Sequence, residues 1–235
     1  MKLKSFGCSF IFGSDLSDEM IAPGNFASKL TWPALIAKEL DLEYECYAKP
    51  GSGNLCCLEK IIEQAYTSTS SDIFVIGWSW IDRFDYFDST CDPSALPTAR
   101  NSNDYHTKWK TILPVDNTSE SKFYYRNLHS EYKDKLVSLI YIKSAIDILK
   151  QKKIPFLMTC MDSLMFDNKW NSNSAILDSQ NYVSPYINYF ENQTFLDWSL
   201  SKQFPVSKTL HPLELAHSVA ANIMIPVVRS TLDDK

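Results

Sequence analysis

Two residues of this 235-residue chain have the type and setting of a nucleophile and its base. Ser9 lies two positions past Gly7, where the short strand-like run Leu3-Lys4-Ser5-Phe6 must turn. A serine there stands at the edge of a sheet, but a free hydroxyl is barely nucleophilic at neutral pH and needs a base. The bland role for such a residue is a local hydrogen bond within the turn. His211, in Thr209-Leu210-His211-Pro212-Leu213, is the best-placed base. Pro212 suits the first position of a helix, where its missing N–H costs nothing, so His211 stands at the helix entrance rather than in a core. His217, six residues on, lies roughly 240° further around such a helix, which makes a shared metal site a poor fit and a structural role the expected one. His106 and His129 fall in or beside an irregular stretch and read as solvated loop residues.

The elements that must hold these residues are legible from periodicity. Residues 3–6, 43–47, 72–77 and 155–159 read as strands, and Asp72-Ile73-Phe74-Val75-Ile76-Gly77 is apolar almost throughout, as a parallel strand covered on both faces should be. Residues 32–40, 55–66, 132–150 and 213–228 carry helical spacing, the last with a break expected at Pro226. Residues 9–29 read as a loop. Two further stretches, 82–123 and 162–193, show no strong period and read as irregular insertions into one domain spanning 1–235. Strands alternating with helices imply an α/β fold: a central parallel sheet with helices on both faces, in three layers. Ligands of such folds sit at the carboxyl ends of the strands. The segments 7–13, 49–54 and 77–82 all follow strands, so one shared site is expected there.

Composition narrows the partners. Hydrophobic residues make up 45% of the chain and charged residues 22%, enough apolar material for a sizeable core. A net charge of −5 with scattered basic residues argues against nucleic acid and against an anionic membrane surface. No run is long and apolar enough to span a bilayer. Met1-Lys2-Leu3-Lys4-Ser5-Phe6-Gly7 lacks the apolar stretch of a signal peptide, so a cytoplasmic setting is expected. Cys8, Cys46, Cys56, Cys57, Cys91 and Cys160 contain no Cys-x-x-Cys pair; they read as reduced thiols, most of them buried, and not as a zinc site. No phosphate-cradling glycine loop of either common nucleotide-binding type occurs, which weighs against a flavin- or nucleotide-binding protein, and no cofactor is expected.

Phe6-Gly7-Cys8-Ser9-Phe10, with Gly13 and Leu16 following, resembles the first block of the SGNH (GDSL-like) hydrolases, in particular phage and bacterial members with Gly-Cys-Ser-Phe at this point. Pro50-Gly51-Ser52-Gly53-Asn54 resembles the second block, Gly77-Trp78-Ser79-Trp80 falls where the third block has Gly-x-Asn-Asp, and His211-Pro212 resembles the fifth. The four blocks run in order from residue 5 to about 222. The resemblance implies a flavodoxin-like three-layer fold and a serine esterase or deacylase acting on a small O-acyl ester, such as one on a glycan. Ser9 is then the nucleophile and His211 the base, with Ser9, Gly53 (Gly51 being the alternative) and Ser79 around the oxyanion. A phage setting would put the chain in a host cytoplasm or on a virion.

Two positions depart from the family pattern. Ser79 stands where an asparagine donor is usual, with Asn54 as a substitute if its side chain turns inward; losing one oxyanion donor costs about 100- to 1,000-fold. Lys208 stands where the acid of the triad is usual, three residues before His211, leaving Asp197, Glu214 or Asp15 to supply a carboxylate from elsewhere. These departures keep open a catalytically impaired relative that only binds ligand in the same cleft. Trp78, Trp80, Phe84, Tyr86 and Phe87 read as an insertion packing on the sheet or as an aromatic wall for substrate. Asp82 and Arg83 read as a surface pair, with Arg83 otherwise placed to receive a carboxylate of the substrate.

Overall fold

The computed structural model describes residues 1–19, 26–87 and 109–233. Four strands, β1 (Lys2–Gly7), β2 (Glu43–Cys46), β3 (Ile73–Trp78) and β6 (Phe156–Cys160), form one sheet in the order β2-β1-β3-β6. Every pairing in it is parallel, with Ser5 opposite both Cys46 and Val75, and Val75 opposite Leu157. The side chains of β1 and β3 alternate between two cores. Leu3, Ile73 and Val75 join one, while Phe6, Phe74, Ile76 and Trp78 join the other. A strand that buries both faces is apolar throughout, which is why β3 shows no alternation in sequence.

Helices α2 (Trp32–Glu39) and α8 (Glu214–Asp233) cover the first face, with Trp32, Ala216, Ala220 and Met224 in that core. Helices α3 (Asn54–Thr67) and α5 (Glu131–Gln151) cover the second, through Ile61, Leu139, Ile142 and Ile146. The expected three-layer α/β/α architecture is therefore the one observed. The expected break at Pro226 is not: α8 runs through it as one helix. Pro226 lies on the exposed side, where water can serve the carbonyl that its ring leaves without a donor, while Met224 and Val228 pin the opposite side to the core.

Three stretches expected to be irregular hold regular structure. Ser9–Phe12 forms a one-turn helix, α1, ended by Gly13 in the left-handed region at φ 87°. A side chain at Gly13 would also collide with Ser28 and Thr31, so glycine is required there. Within 82–123, strands β4 (Phe84–Phe87) and β5 (Trp109–Ile112) pair antiparallel, and α4 (Ser119–Asn127) follows, capped by the Thr118 hydroxyl. Within 162–193, a short 3₁₀ turn (Ser163–Phe166) and α6 (Ser174–Val183) are present. Helix α7 (Phe195–Ser201) then leads to the His211 loop. Buried Lys135 ties part of this region down, donating to the Asp167 carboxylate and to the Asp167 and Lys169 carbonyls. Cys91 and His106 lie outside the described residues.

Candidate active site

The chain leaves β1 for β2 on one side and returns to β3 on the other, so a cleft opens at the carboxyl ends of these strands. Ser9 begins α1 at the tip of β1. Gly7 permits this close approach, since a Cβ there would stand 2.6 Å from the Gly77 carbonyl oxygen. The Ser9 and Phe10 amides occupy the first turn of α1, where an N–H has no partner within the helix.

Ser9 Oγ lies 2.8 Å from His211 Nε2, and His211 Nδ1 lies 2.7 Å from Asp15 Oδ2. With the carboxylate ionised it can only accept, so Nδ1 carries the proton and Nε2 is left to accept from the Ser9 hydroxyl. Asp15 also accepts from Ser207 Oγ at 2.7 Å and from Thr209 Oγ1. Partial burial raises its carboxyl, but the hydrogen bonds from Thr209, Ser207 and His211 outweigh that and bring it down to about 2.

The carboxylate that meets His211 thus comes from six residues beyond Ser9, on the loop after α1. Asp15 takes a left-handed backbone at φ 70°, a conformation that aspartate tolerates better than most residues. The loop is held by fully buried Leu16 and by Ser17 N–H donating to Glu214 Oε1 at 2.9 Å. That contact occupies Glu214, and Asp197 is occupied by Thr194 Oγ1 at 2.8 Å in the cap of α7, so neither of the other candidate acids meets His211. Lys208, at the family's usual acid position, is flanked by the two hydroxyl residues that grip Asp15 instead.

The other wall of the cleft departs from expectation. Gly53 N–H donates to Asp85 Oδ1 at 2.9 Å, Cys56 N–H donates to Asp85 Oδ2 at 2.9 Å, and Thr111 Oγ1 donates to Asp85 Oδ1 at 2.6 Å. A carboxylate from β4 thus sits on the first turn of α3, where unpaired amides favour an anion. Gly53 is therefore not a free oxyanion donor. Asn54 is not one either: its Oδ1 accepts from Ser79 N–H at 2.8 Å, and its Nδ2 donates to the Ser79 carbonyl at 3.3 Å and to Ser138 Oγ at 3.2 Å. The Ser79 hydroxyl is buried, and among the described residues it has no hydrogen-bond partner.

Trp78 is core, not cleft wall. As the last residue of β3 it points into the α3/α5 layer, fully buried, with its indole N–H donating to Met158 Sδ at 3.4 Å. Trp80, beyond the end of β3 where strand alternation no longer applies, is half-buried and meets Phe10 edge-on at 5.4 Å between centroids, while Phe10 meets the His211 ring at 5.1 Å. Arg83 stacks over Trp80, 4.6 Å from the ring centre, and its Nη1 donates to the Ser52 carbonyl at 3.0 Å. Phe84 stacks on Tyr124 and Phe87 meets Trp109 edge-on, so these rings pack the hairpin together and onto its surroundings. Asp82 does not pair with Arg83; it is largely enclosed, and burial followed by the nearby Asp162 raises its carboxyl.

His217 is fully enclosed, and its Nδ1 accepts from Trp32 N–H at 3.1 Å, completing the first turn of α2. Burial lowers its imidazole to about 3, keeping it neutral for that role. His129 is not merely solvated: its Nε2 stands 3.1 Å from Asp134 Oδ2. Cys8, Cys56, Cys57 and Cys160 are buried thiols, and Cys46 is half-buried. Among the described residues no group of His, Cys, Asp and Glu is placed to hold a metal ion, and no helix is long and apolar enough to cross a membrane.

No protein-family model matches the sequence, and no curated protein does. Solved structures do match the fold over nearly the whole chain. The psychrotrophic esterase EstA from a Pseudoalteromonas species aligns with a TM-score of 0.51 at 10% identity, over 99% of this chain and 98% of its own. TesA aligns at 0.51 and 11% identity, over 98% and 99%. An active-site mutant of a family-two carbohydrate esterase from Clostridium thermocellum aligns at 0.51 and 10% identity, over 99% of this chain and 64% of its own. At such identity the likeness is one of architecture: the chain has the three-layer fold of the SGNH hydrolases.

Proposed function

We propose that the chain is a serine ester hydrolase acting on a small O-acyl ester, with a glycan among the candidate alcohols. The observation that carries this reading is the Ser9–His211–Asp15 relay, with spacings of 2.8 and 2.7 Å at the carboxyl edge of a parallel sheet. The carbohydrate esterase and the other esterase that share the fold agree with it.

In this reading Ser9 Oγ attacks the ester carbonyl carbon while its proton passes to His211 Nε2. Asp15 holds the ring in the required tautomer and stabilises the imidazolium. The first-turn amide of Ser9 receives the oxyanion, and the unpartnered Ser79 hydroxyl turns to serve as the second donor in place of Gly53. The tetrahedral intermediate expels the alcohol, which takes the proton from His211. Water then attacks the acyl-Ser9 carbonyl with His211 again as base, and the acid leaves as Ser9 recovers its proton. Trp80 and Arg83 line the substrate side.

The test is labelling of the natural protein by a fluorophosphonate probe, beside Ser9→Ala and His211→Ala. Labelling of the natural protein alone supports an activated serine. A folded natural protein that takes no label would replace this reading with a binding module on a hydrolase fold.

A further inference from the structure

Arg83 is the cation of its neighbourhood that forms no close ion pair with another described residue, although Asp82 feels its charge. It lines a cavity of about 340 Å³ together with Asn54, Phe84, Lys133, Asp85 and Asp134. The other ionic groups there are matched. Asp85 is held by two amides and a hydroxyl, and Lys133 stands 3.2 Å from Asp134, which also pairs with His129. Arg83 forms no ion pair among the described residues. A guanidinium has five N–H donors in a planar fork, and the contact to Ser52 uses one nitrogen.

Two separate chains of contact lead from this cation to the nucleophile's neighbours. On one, Ser52 accepts from Arg83 and its own hydroxyl donates to the Gly7 carbonyl at 3.1 Å, two residues before Ser9. On the other, the guanidinium lies on Trp80, Trp80 on Phe10, and Phe10 on the catalytic imidazole. Stacking on an indole fixes the plane of the fork and leaves its edge to bind, the geometry suited to a two-oxygen acceptor.

We infer that Arg83 is the specificity residue of this site and selects an ester whose acyl or alcohol part carries a carboxylate or similar oxyanion. The inference rests on the esterase reading and adds the class of substrate. A neutral ester would leave the half-buried guanidinium with the Ser52 carbonyl, the Trp80 face and water, and no paired anion among the described residues.

The experiment compares kcat/KM on matched esters, following acid release at pH 7.5. Monomethyl succinate is set against methyl butyrate for a charge on the acyl side, and 4-acetoxybenzoate against phenyl acetate for a charge on the alcohol side. The natural protein should prefer the anionic ester in at least one pair. Arg83→Gln keeps a donor for Ser52 but removes the charge, and should cut that anionic-to-neutral ratio by about 10- to 100-fold, as expected for a charged hydrogen bond. Arg83→Lys, with charge but no fork, should fall between the two. A ratio that is the same in the natural protein and Arg83→Gln for both pairs overturns this inference and leaves the esterase reading standing. Absence of both turnover and fluorophosphonate labelling overturns the two together.

Discussion

The two walls of the cleft use their polar groups in opposite ways. On one, Asp15, His211 and Ser9 point their hydrogen bonds along a line that ends at a hydroxyl open to reaction. On the other, Gly53, Asn54, Ser79 and Asp85 spend theirs on one another. Both walls stand at the ends of the same parallel strands, and on the second the Ser79 hydroxyl is left without a partner among the described residues. The difference is what stands at the open end. In the relay it is the Ser9 hydroxyl, a donor with a proton to give, whereas across the cleft the amide donors end on a carboxylate that already fills the anion site of α3. Proximity to a nucleophile therefore does not make a donor catalytic; a donor is useful only if the protein leaves it unspent.

The sharpest way to break this contrast is to remove the relay's ends. Ser9→Ala or His211→Ala should lower kcat/KM on any ester that is turned over by about 10,000-fold or more, as for groups that act as a unit. Asp15→Asn comes next, with an expected loss of about 100- to 10,000-fold, because the amide favours the wrong tautomer. Asp197→Asn and Glu214→Gln should stay within about threefold of the natural rate; a collapse in either would move the acid elsewhere. Asp15 is depressed in the folded state from the usual 3.8 to about 2, so it supplies stability above pH 3.8 that fades as the pH falls toward 2. The ratio of natural to Asp15→Asn rates should accordingly carry no step from Asp15 ionisation between pH 5 and 8.

Smaller effects test the opposite wall. Asp85→Asn removes the charge from three hydrogen bonds, and Tm should fall by roughly 3 to 8 °C, from about 1–2 kcal/mol at this chain length. Fluorophosphonate labelling of Ser9 should change less than about threefold on the same argument; a larger loss would make the two walls one unit. The smallest effect concerns His217. Its proton is bound near pH 6.5 in the unfolded chain but only near 3 in the folded one, so stability is complete above 6.5 and falls as the pH drops toward 3. His217→Asn should flatten that part of a chemical-denaturation pH profile.

The strands, the layering and the two ends of the Ser9–His211 pair were legible because each depends on local pattern: apolar runs, a glycine at a strand tip, a proline ahead of a helix, although Pro212 pairs with Val206 and α8 begins only at Glu214. What lay hidden depends on contacts distant in sequence. Nothing near Asp15 distinguishes it from Asp197 or Glu214; only the loop anchored by Leu16 and Glu214 decides between them. The pairing of Gly53 with Asp85 crosses an insertion without periodicity, and a glycine-rich turn looks the same whether its amides are free or filled. Trp78 misled for a simpler reason. In a strand buried on both faces, hydrophobicity cannot say which core a residue enters; alternation from Ile73 puts Trp78 with Phe74 and Ile76, and Trp80 differs because β3 ends at Trp78.

Asp15 and Ser9 share one short loop, whereas His211 lies 196 residues from Asp15. On a ribosome making about 5–20 residues per second, that separation is roughly 10 to 40 s during which Ser9 and Asp15 exist without His211. The stretch that finally delivers His211 also brings His217, whose ring completes the first turn of α2. Assembly of the Ser9–His211–Asp15 hydrogen bonds and the closing of that face of the sheet are thus one late event in synthesis, and the growing chain carries Ser9 without its partner until both have happened.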